Sequence, residues 1–362
     1  MRNWGASYED WVNRAFRIDP RVWDDGLWVS AYQRVSAELQ AAEGHSRSTG
    51  GDDEEGRLIR TLVFGQRSFL LIRALGTGRS HSAWVDLGAG TGGSAAGLLA
   101  NGAGHVRLVD RHEGDLKMAE QLLDVIREKG QTYECAVGEV SEQKARMGEG
   151  SLWCFSWNEV GAEGLRWLEA WWDNAADAPC WLVEPGTRKS FGGLKTVRDR
   201  YHRAVRGPCP SAGPRCPMKE DGDWCHFTWN VPFGPAATRI LQRAGRNISG
   251  LHASYLELQA PMKREASRTD DVGKRSDTWR ILDRRRTGKV DRWLLCDGAA
   301  LRELETPNKG KRAFAPVEAI RAQASHALVH LRGPWRTLKN GAMQPTREAE
   351  VVPRETKAVI SS

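Results

Sequence analysis

A chain of 362 residues, 40% hydrophobic and 27% charged, can bury a sizeable core in about two domains and has the balance of an ordinary globular protein. No apolar run approaches the ~20 residues of a membrane span, and an N-terminus mixing Arg2, Arg14 and Arg17 with Glu9, Asp10 and Asp19 fits neither a secretory signal nor a transit peptide. Seven cysteines, an odd number, do not form a disulfide framework, and a net charge of +7 suits a polyanionic partner.

Apolar residues recur at helical spacing over residues 7–42 (Trp11, Ala15, Phe16, then Val29, Tyr32, Val35, Leu39) and predict an α-helical cap. A Gly-, Ser- and acid-rich linker covers roughly 44–56, and a second helix runs over about 58–75. From Ala83 strands and helices alternate: strands at 84–87, 106–109, 133–137, 152–157 and 181–184, helices through Leu99, over 113–129 and over 165–172. That alternation predicts an α/β fold with a doubly wound, Rossmann-like parallel sheet. A basic helix follows at about 190–205, then a cysteine loop, then a mixed region with strands near 253–258 and 290–296. The tail beyond Lys339 lacks periodicity and is expected to be loose. The expected division is 1–56 helical region and linker, 57–206 sheet domain, 207–338 cysteine-rich basic region, 339–362 tail.

Gly88, Gly90 and Gly92 sit where the first strand turns into a helix. Glycine lets the backbone approach a ligand, and the helix N-terminus offers free N–H groups to an anion. Gly88, Gly90 and Gly93 also spell G-x-G-x-x-G, so a nicotinamide or flavin cofactor is one alternative. Asp86, two residues ahead of the first glycine, favours S-adenosylmethionine, whose ammonium group a carboxylate there can hold. Asp110, at the end of the second strand, is placed for ribose hydroxyls, and Glu139, after the third, for the adenine side. The D-x-G-x-G-x-G run resembles class I methyltransferases. No catalytic group is identifiable: the fourth strand runs into Phe155-Ser156-Trp157-Asn158-Glu159, which lacks the Asn-Pro-Pro-aromatic pattern of amino methyltransferases. Cys154 and Cys180 lie in apolar strands and read as core thiols.

The stretch 207–227, GPCPSAGPRCPMKEDGDWCHF, carries Cys209, Cys216 and Cys225, two of them followed by proline. So much Pro and Gly excludes helix and central strand. The spacing is not the C-x2-C of most zinc knuckles, and thiolates at irregular spacing suit an iron–sulfur cluster, which needs four ligands. Cys296, at the end of the 290–296 strand, is the choice for the fourth. His226 leaves a zinc site open, and unrelated free thiols are the third alternative.

Basic charge flanks this loop. Residues 187–206 hold seven Lys/Arg against Asp199 alone, and 263–312 hold 15 against 9 acids. Arg284, Arg285, Arg286, Lys289 and Arg292 form one candidate RNA contact; Arg198, Arg200 and Arg203 form a second. Trp279 and Trp293 are read first as core or cluster-shielding aromatics and second as platforms for unpaired bases.

The run Val183-Glu184-Pro185-Gly186-Thr187, a basic helix, Pro208-Cys209-Pro210, Cys216-Pro217 and Asp223-Trp224-Cys225-His226-Phe227 resembles the Rsm-type family. These are methyltransferase-like assembly factors of the small ribosomal subunit in mitochondria, with bacterial relatives. The resemblance runs from about Leu58 to Cys296. It departs at Thr91, where the family commonly has Pro, at Thr228–Pro232, and over the first 50 residues. It implies a [4Fe–4S] cluster on Cys209, Cys216, Cys225 and Cys296, S-adenosylmethionine as cofactor, and the small subunit with its rRNA as partner. The protein is expected to be a monomer, away from membranes, cytoplasmic or, in a eukaryote, in the mitochondrial matrix. An active rRNA methyltransferase on the same fold is the runner-up; a zinc-binding methyltransferase and a nicotinamide-dependent redox enzyme come after it.

Overall fold

The computed structural model describes residues 3–24, 26–41, 53–79, 81–144, 146–175, 177–210, 213–218, 224–246, 248, 250–259, 278–288, 290–307, 319–320, 328–332, 335–346 and 349–353. Two compact units emerge, each assembled from separated stretches. The first takes the chain up to Pro185, Trp229–His252 and Val359–Ser362; the second takes Gly186–Thr228 and Ala253–Ala358.

The first unit opens with α1 (Trp4–Phe16), α2 (Gly26–Ala41), α3 (Glu54–Ile59) and α4 (Gln66–Leu75), the last two joined by a π-helical turn, Arg60–Gly65. Asn3 accepts from Ala6 N at the start of α1, and Asp53 accepts from Gly56 N at the start of α3, satisfying N–H groups that a helix start leaves free. Tyr8 packs on Phe69 at 4.9 Å and Tyr32 stacks on Phe64 at 5.6 Å. The helices of the expected α-helical cap belong to this unit. Of the linker at 44–56, residues up to Asp52 lie outside the described chain.

The sheet follows as β1 (Ala83–Leu87), α5 (Gly93–Ala100), β2 (His105–Asp110), α6 (Glu113–Ile126), β3 (Thr132–Val137), β4 (Gly150–Cys154), α7 (Trp157–Asn174) and β5 (Pro179–Pro185). These five strands lie in the order β3-β2-β1-β4-β5, and every pairing among them is parallel. Strands buried on both faces read as apolar runs, as Trp84-Val85 and Leu152-Trp153 do. The order reverses at β1, with β2 on one side and β4 on the other, and such a switch point opens a crevice at the strand C-termini. The fourth strand stops at Cys154, shorter than expected, because Phe155 takes a positive φ of 64° and Trp157 begins α7.

In the second unit come α8 (Arg188–Arg200), β6 (Val205–Gly207) and β7 (Phe227–Trp229), before the chain returns to the first unit for α9 (Pro235–Arg243). There the Glu9 carboxylate of α1 accepts from Ala236 N at 2.9 Å, placing an anion at the N-terminus of α9. Next, β8 (Leu251–Gln259) pairs antiparallel with β6.

The remaining strands are β9 (Thr278–Thr287), β10 (Val290–Cys296), β11 (Leu301–Pro307), β12 (Leu328–Arg332), β13 (Trp335–Thr337), β14 (Met343–Pro345) and β15 (Glu350–Pro353). They form one sheet in the order β13-β14-β11-β10-β9-β12-β15. Trp279, Ile281, Trp293, Leu295, Leu304, Val329, Met343 and Val351 share its core. The region expected to be mixed is thus a second sheet. The tail expected to be loose supplies β14 and β15, because Met343, Ala349 and Val351 are buried.

Candidate functional site

In the first unit, β1 delivers Asp86 to the switch point fully buried. Its Oδ2 accepts from Ser94 Oγ at 2.6 Å, and its Oδ1 is buried without any partner. Burial first, with the neighbouring charge of Asp110, pushes the Asp86 carboxyl up to about 7. Asp110, at the end of β2, accepts from Gly90 N at 2.8 Å and from His112 N at 2.9 Å. It therefore shapes the glycine loop itself, while a carboxylate's spare lone pairs can still take a hydroxyl. Glu139 is exposed beyond β3.

Gly88 and Gly90 illustrate two uses of glycine. At Gly88 φ is +75° and an added Cβ would stand 2.4 Å from Ser156 Cβ, so the residue serves packing. At Gly90 φ is +52° and nothing lies within 4 Å of such a Cβ. The loop is open there. The third glycine of the G-x-G-x-x-G pattern, Gly93, abuts the backbone of Gly65 in the π-helical turn.

Four residues that sequence reasoning did not single out surround this crevice. Ser94 holds Asp86, and Ser156 Oγ donates to Leu87 O at 2.6 Å beneath the loop. Glu184, at the end of β5, accepts from Trp157 N at 2.9 Å and from Asn158 Nδ2 at 2.5 Å, and burial pushes its carboxyl up to about 8. Arg67 of α4 stands 4.8 Å over the Phe155 ring and donates to His252 O. Only Ser94, in the first turn of the helix behind the glycines, was open to detection from spacing.

In the second unit the four cysteines singled out as ligands come together. A thiolate at Cys209, Cys296 or Cys216 would raise Cys225, one at Cys209 or Cys216 would raise Cys296, and one at Cys209 would raise Cys216. Burial is the leading cause in each case, pushing Cys296 up to about 12 and Cys225 well above the ordinary thiol range. Met218, Leu282, Phe191, Leu294 and Leu301 pack around Cys216, Cys225 and Cys296. Among the described residues no group of three His, Cys, Asp or Glu is drawn in to metal-binding distance. His226 stacks on Trp224 at 5.1 Å, with its Nδ1 3.2 Å from Trp224 O.

Arg198 is not on the surface. It is 3% exposed, and its guanidinium donates to Gly298 O and to Asp199 Oδ1. Cys209 also lies within its hydrogen-bonding reach, while its Nε is buried with no partner. An unsatisfied buried donor costs about 1–3 kcal/mol, more when charged.

The other basic candidates divide. Arg200 and Arg203 are exposed at the end of α8. Arg284 pairs with the buried Asp291 at 3.0 Å and lies over Trp293; Arg285 pairs with Asp283 and Arg292 with Glu305. Arg286 is exposed with no ion pair among the described residues, and Lys289 lies outside them. Trp279 and Trp293 are buried, the latter donating to Thr306 Oγ1 at 3.0 Å. They are core residues.

Five parallel strands with a glycine loop at their switch point define a doubly wound fold. A family model described as mitochondrial small ribosomal subunit Rsm22 matches residues 83–286. The match takes in more than half of the chain, and the protein belongs to this family.

No match to a curated protein was found. Among solved structures, the chain is similar to a putative RNA methyltransferase, PH1948, from Pyrococcus horikoshii. The identity is 14% and the TM-score 0.35, covering 64% of this chain and 100% of that one. It is also similar to magnesium protoporphyrin IX methyltransferase from Synechocystis with bound SAM, at 11% identity and TM-score 0.36, covering 62% and 91%. For an rRNA methylase from Streptococcus thermophilus the figures are 13% and 0.33, covering 53% and 94%. Likenesses this weak carry no argument. Among the described residues no helix is long and apolar enough to cross a membrane.

Proposed function

We propose that this protein is an assembly or translation factor of the small ribosomal subunit, in the mitochondrial matrix where the source is eukaryotic. It binds S-adenosylmethionine in the first unit and holds a four-cysteine metal centre, a [4Fe–4S] cluster, in the second. The observation that carries the reading is the packing of Cys216, Cys225 and Cys296, separated by up to 80 residues in sequence, in one apolar cluster, with Pro208 O beside Cys209 bound by Arg280 opposite Cys296, within a member of the Rsm22 family. Four thiols and no obligatory histidine fit a cluster or zinc; the family resemblance favours the cluster.

The cofactor fit rests on Asp86 and Gly90. The unpartnered buried Oδ1 of Asp86 suits the ammonium of a methionyl group, and the open space at Gly90 suits a ligand against the backbone. Asp110 and Glu139 would hold the ribose and adenine sides. When bound, S-adenosylmethionine supplies an electrophilic methyl group; the chain's own groups orient it. Arg200, Arg203, Arg286 and the cluster around Arg284 and Arg292 neutralise rRNA phosphates, which makes binding steeply salt-dependent.

Retention of a cofactor-ready crevice also favours the second reading, an active rRNA methyltransferase. One comparison separates them: co-sedimentation of the full chain with small subunits, and methyl transfer to their rRNA by wild type and Asp86→Ala. Binding without transfer supports the assembly factor. Transfer lost in Asp86→Ala supports the enzyme. Neither binding nor transfer would sink both.

A further inference from the structure

Three hydrogen-bonded ties reach the cysteine segments, two of them from the C-terminal end of α8. Arg198 donates to Gly298 O at 2.5 Å, and the same glycine's N–H donates to the Cys296 sulfur at 3.2 Å. Asp199 Oδ1 accepts from Arg198 at 2.8 Å and from Cys216 N at 2.6 Å. One oxygen therefore couples the buried guanidinium to a second cysteine segment. Arg280 on β9 donates to Pro208 O at 2.6 Å, one residue before Cys209, and stands opposite Cys296 in the β9–β10 ladder.

We propose that Arg198, Asp199 and Arg280 are positioning and charge-balancing residues of the four-cysteine centre, rather than contacts for RNA. The proposal rests on the metal-centre reading above. Two arguments carry it. The first is geometric: three of the four cysteine segments are tied through hydrogen bonds to Arg198, Asp199 or Arg280, although they are separated in sequence. Groups that orient metal ligands in this way commonly govern affinity. The second is electrostatic. Either a divalent zinc or an oxidised [4Fe–4S] core on four thiolates carries about two negative charges. An anion so enclosed needs counter-charge nearby, and Arg198 and Arg280 are guanidiniums 3% and 9% exposed. The buried Nε of Arg198, without an acceptor, faces the same demand from the opposite side.

The test uses the full-length chain. Co2+ is titrated into metal-free protein, read by its thiolate charge-transfer absorption, with Zn2+ in competition. In parallel the reduction potential of anaerobically reconstituted cluster is measured. Wild type, Arg198→Met, Arg198→Lys and Asp199→Asn are compared, with circular dichroism reporting the fold. Arg198→Met is expected to weaken Co2+ and Zn2+ binding ~10- to 100-fold and to shift the cluster to lower potential, since it removes a buried positive charge. Arg198→Lys keeps the charge but loses the planar fork. It should recover the potential while remaining weaker than wild type in affinity. Asp199→Asn should weaken affinity without lowering the potential.

Equal affinity and potential in wild type and Arg198→Met would overturn the assignment while leaving the metal centre standing. If Arg198→Met does not fold, equal affinity in wild type and Arg198→Lys would overturn it instead. Failure of wild type to bind Co2+, Zn2+ or iron would sink the metal centre and this proposal with it, before any variant is compared.

Discussion

In the first unit most of the groups proposed to face the cofactor lie along one short stretch, from Asp86 to Asp110, and a strand, a turn and a helix suffice to bring them together. The second unit gathers Cys209, Cys216, Cys225 and Cys296 from a loop and a strand end, with α8 tying the segments. A site built locally survives as a motif and keeps its shape when empty. A site built from distant segments has nothing but its tertiary bonds to hold it, and it leans on buried charge to do so. The two sites should therefore fail differently when challenged.

The sharpest challenge is Cys296→Ser. It should remove essentially all bound iron and sulfide, and reduce ribosome co-sedimentation, while S-adenosylmethionine affinity measured by calorimetry stays at the wild-type value. Loss of both ligands would break the distinction between the sites; unchanged iron would mean the fourth ligand lies elsewhere.

Second in size is Asp86→Ala. Removing one member of a buried, hydrogen-bonded charge pair costs about 2–5 kcal/mol, so cofactor binding should weaken at least ~30-fold with metal content unchanged. The pH dependence has a definite sign. Burial raises this carboxyl from its model-peptide value of 3.8 to about 7, so below pH ~7 the ligand-free protein holds it neutral. Affinity should then fall ~10-fold for each pH unit below about 7. The same shift means the native state binds the extra proton between about pH 4 and 7, and the ligand-free fold loses stability as pH rises through that window. Asp86→Asn should flatten both curves, and a pH-independent affinity in wild type would refute the ammonium role.

Within the glycine loop the contrast is finer. Gly88→Ala meets Ser156 at 2.4 Å as well as a positive φ. Overpacking costs about 1–3 kcal/mol and the left-handed backbone about 1–2, enough to lower Tm by several degrees. Gly90→Ala carries only the second cost and should lose cofactor affinity more than stability. The smallest effect is expected from Arg286→Ala: rRNA binding should weaken modestly, and the salt slope should fall by about 1.

How much of this was legible in sequence follows from the same division. The β1–loop–α5 element could be read because its glycines, its carboxylate and its strand are contiguous. The cysteine loop could be recognised as a loop, but nothing in its spacing places Cys296 beside it; Cys296 stands out by its place at a strand end outside the sheet domain, and the family resemblance agrees with that choice. Arg198 was misassigned for a physical reason. On α8 basic residues occur on all sides, so charge alone cannot tell which guanidinium turns inward, and its partner Gly298 lies 100 residues away. The second sheet was missed because β9 carries Arg284, Arg285 and Arg286 in succession, which masks the alternation of Trp279 and Ile281 into the core. The tail strands are short and polar outside Met343 and Val351.

The distance between Cys225 and Cys296 also has a consequence in time. The chain is made from its N-terminus at ~5–20 residues per second, so Cys296 emerges several seconds after the other three thiols. Through that interval Cys209, Cys216 and Cys225 stand with neither the fourth sulfur nor the Gly298 turn that Arg198 grips. They are then open to oxidation. The glycine loop, complete within its own stretch, passes through no such stage. Filling of the proposed metal centre would therefore follow synthesis of β10, a late event in the life of the chain.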